Sequence, residues 1–222
     1  MKKRTGVKYL ASGADEFQPG SKGKVSKNLH GIASVREMQK AEFAGYLEAE
    51  RKLISEFTRD QQFTVNDIHQ INKWFIGKIY SWAGTTRSVN ISKDAFTFAT
   101  AYALPQALND FEKEVLSVHT PCKGKSLDEI AVHVAIVQCE FLLLHPYREG
   151  NGRTARLIAT LMAYQADLPG IDFGFIKSRG KEFENYVTAI QKGIGKNYDL
   201  MIEIVLRALR RALRRVGASS IG

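Results

Sequence analysis

SLDEIAVHVAIVQCEFLLLHPYREGNGRTAR, residues 126–156, carries in one run a helix that must be buried and the turn that ends it. Ser126 followed by Glu129 is a helix-start signature. Ile130, Val134, Val137, Phe141 and Leu144 form one apolar stripe, and Val132, Ile136, Cys139 and Leu143 make the other side apolar too. A helix apolar nearly all round is buried, so this one is expected at the centre of the molecule. Pro146 disfavours the α conformation at His145, which predicts that the helix stops there. Glu149-Gly150-Asn151-Gly152 then supply a turn, since Gly and Asn tolerate positive φ. Asn151 is placed to cap a second helix running from Arg153. Leu157, Ile158, Leu161 and Met162 give that helix its apolar face, and Pro169-Gly170 stop it.

Similar signals recur on both sides. SVRE at Ser34 is a capping box, and Phe43, Leu47, Ile54 and Phe57 follow at helical spacing. TVND at Thr64 repeats it with Asp in the Glu position. Ile68, Ile71, Phe75, Ile79 and Trp82 then step by three and four, and Gly84 is expected to end that helix. Residues 87–99, RSVNISKDAFTFA, change period: Val89 and Ile91 alternate, then Phe96 and Phe98, with SKDA between them. This is a hairpin signal. Pro105 opens a further helix with Leu108, Phe111 and Val115 on one side. Phe183, Tyr186, Val187 and Ile190 make another, and Ile202, Val205, Leu206, Leu209, Leu213 and Val216 the last. Residues 1–30 are rich in Gly, Ser and Lys without periodicity and are expected to form a poorly ordered basic tail. The expected architecture is a mainly α domain with one β-hairpin over residues 31–210. A basic helix end and tail follow at 211–222.

The chain has 222 residues, 44% hydrophobic and 25% charged, room for one domain with a real core. Its net charge of +9 favours anionic partners such as nucleotides, nucleic acid or acidic proteins. Two cysteines, Cys122 and Cys139, make no disulfide framework and fit a reducing compartment. No stretch approaches the roughly 18 apolar residues of a membrane span. Asp15 and Glu16 arrive too soon for the basic start to be a signal peptide. A cytoplasmic location follows, with delivery into another cell left open.

The turn at 149–152 concentrates the chemistry. A Gly/Asn loop ahead of a helix N-terminus aims free N–H groups and the positive dipole end at one spot, which is an anion site. Gly150 and Gly152 let a phosphate approach the backbone. Arg153 and Arg156, three apart, lean to the same side, and two forked guanidiniums suit a di- or triphosphate. Glu149 repels phosphate but fits a Mg²⁺ that bridges phosphates. His145, at the end of a rigid helix, fits a general base acting on an incoming hydroxyl. Together these describe nucleotidyl or phosphoryl transfer.

Residues 145–156 resemble the signature of the Fic family, H-x-F-x-[D/E]-G-N-G-R-x-x-R, with Tyr147 in place of Phe. Tyr keeps an aromatic ring to face the core. WAGTTRSVNISKDAFTFA, from Trp82, is similar to the family's flap region, and NYVTAIQKGIGKNYDLMIEI to its later helices. The resemblance covers about Gly31 to Leu209. It implies a mainly α core and transfer of AMP from ATP, with Mg²⁺, to a Ser, Thr or Tyr hydroxyl of a target protein. His145 would deprotonate the hydroxyl, Glu149 would hold Mg²⁺ and Asn151 would contact the α-phosphate. Gly150 and Gly152 would lend backbone donors, and Arg153 and Arg156 would hold the outer phosphates. A flap built on Ile91, Ser92, Phe96 and Phe98 would take an extended target segment as an added strand. Lys93 would steady the nucleotide. Tyr186 reads as core, with contact to the base as the other reading.

Two further readings compete. UMP, phosphocholine or phosphate transfer occurs among Fic relatives, although the intact GNGRTAR favours AMP. A basic helical nucleic-acid binder would use Arg207, Arg210, Arg211, Arg214 and Arg215, but it would need no His, Glu and Gly-Asn-Gly nest in one segment. Relatives are often restrained by a Glu from the pattern [S/T]-x-x-x-E-[G/N], which pairs with the second motif arginine, here Arg156. Ser12 with Glu16 and Ser178 with Glu182 fit only in part, each being followed by Phe. A separate small antitoxin-like inhibitor reaching Arg156 is therefore expected.

Overall fold

A computed structural model of the chain describes residues 17–93, 96–177 and 180–219. Helix α1 spans Val35–Glu56 and α2 Val65–Ile76. Two short strands, β1 (Ser92–Lys93) and β2 (Phe96–Thr97), pair antiparallel, with Ser92 opposite Thr97. Helix α3 (Leu104–Asp110) continues through a π-helical stretch, Phe111–Leu116, into the one-turn α4 (Ser117–His119). Helix α5 (Leu127–Leu144), α6 (Asn151–Gln165), α7 (Lys181–Lys192) and α8 (Asp199–Ser219) complete the order. The fold is mainly α with one small hairpin, as expected.

Helix α5 is the axis of the core. Ile130, Val134, Val137, Phe141 and Leu142 are buried on it, and α6, α7, α8 and the π-helical stretch pack around it. Its start is capped as the sequence predicts: the Ser126 side chain accepts from Glu129 N at 3.2 Å. Its end falls at Leu144, and His145 follows in the left-handed conformation (φ 50°). Helix α2 opens on a complete capping box, with Thr64 and Asp67 each bonding the other's backbone.

Four expectations change. First, α1 turns a different face inward. Met38, Glu42, Ala49 and Leu53 are buried, while Phe43 and Ile54 are 62% and 64% exposed. Gly45 lies on the buried face, where a Cβ would stand 2.2 Å from the Phe75 carbonyl oxygen. Close approach of α2 thus selects the small-residue face of α1, although Gly in a helix interior costs about 0.5–1 kcal/mol. Second, α2 ends at Ile76 rather than near Gly84; Ile79 and Tyr80 are buried from a turn that follows it. Third, residues 17–30 are held to the domain. Phe17 bridges Ser26, Val25 is buried, Asn28 bonds Gln18 and Ile32, and Leu29 N donates to Ile79 O at 2.9 Å. Local hydrogen bonds of Asn and Gln order a segment that has no periodicity. Residues 1–16 and 220–222 lie outside the described residues. Fourth, the hairpin pairs from Ser92, inside the expected turn, and its tip at Asp94 and Ala95 also lies outside them.

Three arginines of α8 reach neighbouring carboxylates, while Arg210 and Arg214 stand exposed. Arg207 bonds Glu182 at 2.8 Å and lies 4.2 Å from the Phe175 ring; Arg211 and Arg215 each reach Asp172 at 3.2 Å. Such pairing is what a packed, solvated helix face does with its charges, and it gives no support to the nucleic-acid reading. Among the described residues no helix is long and apolar enough to cross a membrane.

Candidate active site

The site is built where α5 stops and α6 starts. His145 is buried at the C-cap of α5, and its Nδ1 lies 3.2 Å from the Leu142 carbonyl oxygen. A carbonyl only accepts, so in the neutral ring Nδ1 carries the proton and Nε2 the lone pair, the tautomer a base requires. The Phe98 ring, from the segment after β2, lies on the imidazole with centroids 3.9 Å apart and planes 25° apart.

Tyr147 points into the core, where its hydroxyl meets His69 Nδ1 at 2.8 Å. The loop is then stapled by Asn151. Its Oδ1 accepts from Tyr147 N at 2.9 Å and its Nδ2 donates to Tyr147 O at 2.7 Å. Asn151 was expected to cap α6 from its side chain. Instead the side chain is fully buried in this staple, and Gly150, at φ 84°, is the cap residue. A Cβ on Gly150 would also lie 2.9 Å from Phe75 Cε1, so conformation and space both call for glycine.

The nest is therefore made by main chain. Arg153 N and Thr154 N bond the Gly150 carbonyl. Among the described residues no acceptor meets the N–H of Asn151 or Gly152, and a Cβ on Gly152 would meet nothing within 4 Å. Gly152 stands exposed beside open space at the positive end of α6, while Asn151 is fully buried behind it.

Around the nest stand the charged groups. Glu149 is buried; its Oε1 accepts from Gly150 N at 3.1 Å and lies 3.6 Å from Arg153 Nη2. Arg153 Nη1 bonds Glu42 of α1 at 2.8 Å and its guanidinium sits 4.8 Å from the Phe75 ring. Burial pulls the Arg153 guanidinium down, but Glu42, by charge and hydrogen bond, and Glu149 outweigh this and hold it above its ordinary value. Tyr80 donates to Glu42 at 3.2 Å, and burial first, then the two carboxylates, push its hydroxyl up. Arg156 lies 5.9 Å from the Phe173 ring, and no carboxylate among the described residues pairs with it.

Among the described residues no group of three His, Cys, Asp or Glu side chains stands ready for a metal. The Glu149 carboxylate beside the donor nest fits Mg²⁺ that arrives with phosphate oxygens and water as its other ligands. Tyr186 is core: it is buried and its hydroxyl accepts from Gln138 Nε2 at 2.7 Å. Ile91 is buried beneath the hairpin, and Ser92 and Phe96 are half-buried on it; Lys93 is the last described residue of β1.

Sequence reasoning missed several residues that complete the site. Glu42 was passed over on a helix read from the wrong face. Arg87 and Asn72 lie outside the motif. Asn72 is buried, donates to Thr154 at 3.0 Å and accepts from Gly84 N, tying α2 to α6. Arg87 is 2% exposed and spends its guanidinium on backbone carbonyls. The only local signal for it was an arginine placed at the start of a strand-like run.

The fold and this site define a mainly helical protein with a helix–loop–helix anion nest beside a buried imidazole. The comparisons give that class its family: residues 62–163 match the Fic/DOC family, so the chain carries a Fic/DOC domain. It is 31% identical over 194 residues to the protein adenylyltransferase VbhT of Bartonella schoenbuchensis, an alignment that covers 83% of this chain and 37% of VbhT. The chain thus spans well under half the length of that relative. The crystal structure of BepC from Bartonella tribocorum, a VirB-translocated effector with bound AMPPNP, is similar in fold. Its TM-score is 0.68 at 21% identity, covering 87% of this chain and 95% of that one. The N-terminal Fic domain of a VirB-translocated effector from Bartonella quintana is similar too, at TM-score 0.70 and 21% identity over 93% and 98% of the two chains.

Proposed function

We propose that this chain transfers AMP from Mg²⁺-bound ATP to a Ser, Thr or Tyr hydroxyl of a target protein. One observation carries the reading: a buried imidazole with its lone pair on Nε2 stands at the end of α5, next to the donor nest that opens α6. The N–H groups of Asn151 and Gly152 would take phosphate oxygens, with Arg153 and Arg156 on the outer phosphates. His145 Nε2 would accept the hydroxyl proton as the oxygen attacks the α-phosphorus and pyrophosphate leaves. Glu149 would hold Mg²⁺, which supplies charge neutralisation on the phosphates. An extended target segment would pair with the hairpin edge, and Lys93 would lie beside the nucleotide. The adenylyltransferase name of VbhT and the nucleotide analogue in BepC support this choice of donor.

Intact-mass spectrometry of target proteins incubated with the chain and ATP tests it. A gain of one AMP is expected; a gain of UMP from UTP, of phosphate or of phosphocholine in parallel incubations would assign another chemistry.

Restraint is proposed to come from a separate small protein whose Glu reaches Arg156. Glu182 pairs with Arg207 instead, while Ser12, Glu16 and Ser178 lie outside the described residues. Glu182→Gly and Glu16→Gly should leave the rate of the purified chain unchanged; a many-fold rise in either would place the inhibitor inside the chain.

A further inference from the structure

Arg87 is a buried cation whose partners among the described residues are all main-chain carbonyls. Its Nε donates to His145 O at 2.9 Å, its Nη1 to Val89 O at 2.7 Å, and its Nη2 to Ala99 O and, at 3.4 Å, to Leu144 O. Its own main-chain N–H donates to Pro146 O at 2.8 Å. Three successive carbonyls at the end of α5 are thereby captured by one residue. Those of Leu144 and His145 are among the groups a helix C-terminus leaves unsatisfied, and the negative end of its dipole favours a cation there. The remaining bonds go to residues on either side of the hairpin. Ala99 follows Phe98 directly, and Phe98 is the residue stacked on His145. The same guanidinium therefore bonds the backbone of His145 and of the residue next to its stacking partner Phe98. Burial holds it below the ordinary arginine value, so its charge is kept at a cost that the carbonyls offset.

We propose that Arg87 is a positioning residue for the transfer: it locks the flap and the end of α5 in one register, so that Phe98 fixes the ring of His145. The inference rests on the adenylyl-transfer reading for its kinetic consequence, not for its geometry. A lysine at this position would keep the charge, but an ammonium on a flexible stem lacks the planar fork that spans His145, Val89 and Ala99 at once.

The test uses the whole chain, ATP labelled at the α-phosphate, and lysate protein as acceptor. Arg87→Lys should lower label transfer on the order of tenfold to a hundredfold while ATP affinity stays within about twofold, because the nest is untouched. NMR of labelled histidine gives a second readout. The ring current of Phe98 should displace the His145 Cε1 proton in the wild type, and Arg87→Lys should return it toward the position seen in Phe98→Leu. Adding Phe98→Leu to Arg87→Lys should change transfer by less than the product of the single effects. Should Arg87→Lys fail to fold, hydrogen exchange on the wild-type chain decides: the Arg87 Nε proton and the Phe98 amide should exchange together. A wild-type transfer rate with an unmoved His145 signal overturns the proposal, as does a parallel loss of ATP affinity or independent exchange of the two protons. If the wild type itself transfers no label, the adenylyl reading fails, and the NMR result still decides the role of Arg87.

Discussion

Phe98 lies flat on His145, with ring centroids 3.9 Å apart. The stack covers one face of the imidazole, and the transfer reading gives the Nε2 lone pair to an incoming hydroxyl. His145→Ala should therefore reduce transfer by about 10²–10⁴-fold, the usual worth of a general base. ATP affinity should be retained, since Asn151, Gly152 and the two arginines remain. Parallel measurement of transfer rate and ATP binding checks this; an unchanged rate removes His145 from the mechanism.

Glu149→Gln keeps the side-chain shape and removes the charge. If Glu149 is a ligand of the nucleotide-bound Mg²⁺, the Mg²⁺ concentration giving half-maximal transfer should rise. A titration curve that does not move would give Glu149 another task.

Gly150 and Gly152 should respond in opposite ways. Gly150→Ala places a Cβ in a left-handed conformation, which costs about 1–2 kcal/mol, and drives it against Phe75. The midpoint of thermal unfolding should fall by several degrees. Gly152→Ala meets nothing and sits in a helix, so it should raise stability by up to about 1 kcal/mol while weakening ATP binding. Loss of stability in Gly152→Ala would show that the open space is not there.

Glu42→Gln removes the charge that faces Arg153 from a buried position on α1. Arg153 keeps some solvent, so the loss should be about 1–3 kcal/mol, below that of a fully buried pair. Urea unfolding of this variant beside Glu48→Gln, whose Lys78 pair is exposed, measures the difference; equal midpoints would mean the Glu42 pair contributes nothing.

Burial holds the His69 imidazole below its ordinary 6.5, and His119 is lowered by burial and then by His133. As pH falls through 6.5 the unfolded chain takes up protons that the folded chain refuses. The contribution of these two imidazoles to stability should thus be constant well above that value and decline as pH falls through it, down to the folded-state values. His69→Gln, which can still bond the Tyr147 hydroxyl, should lessen the decline between about pH 7.5 and about pH 5.5. An identical slope in the variant would exclude His69 as a source.

The sequence by itself determined the elements and the nest. Ser34, Thr64 and Ser126 start helices because their hydroxyls bond N–H groups three residues on. Pro146 and Gly150 fix where α5 ends and α6 begins, and all the motif residues lie within twelve positions. These are local interactions, legible wherever spacing and side-chain type suffice. Tertiary structure alone decided which face of α1 is buried, because the close approach of Gly45 to Phe75 is set by a second helix. It alone paired Glu42 with Arg153, 111 residues away, and Arg87 with the His145 carbonyl, 58 residues away. No local pattern encodes such contacts. They exist because helix packing brings a carboxylate and a guanidinium, or a guanidinium and a helix end, into one buried place where each must find a partner.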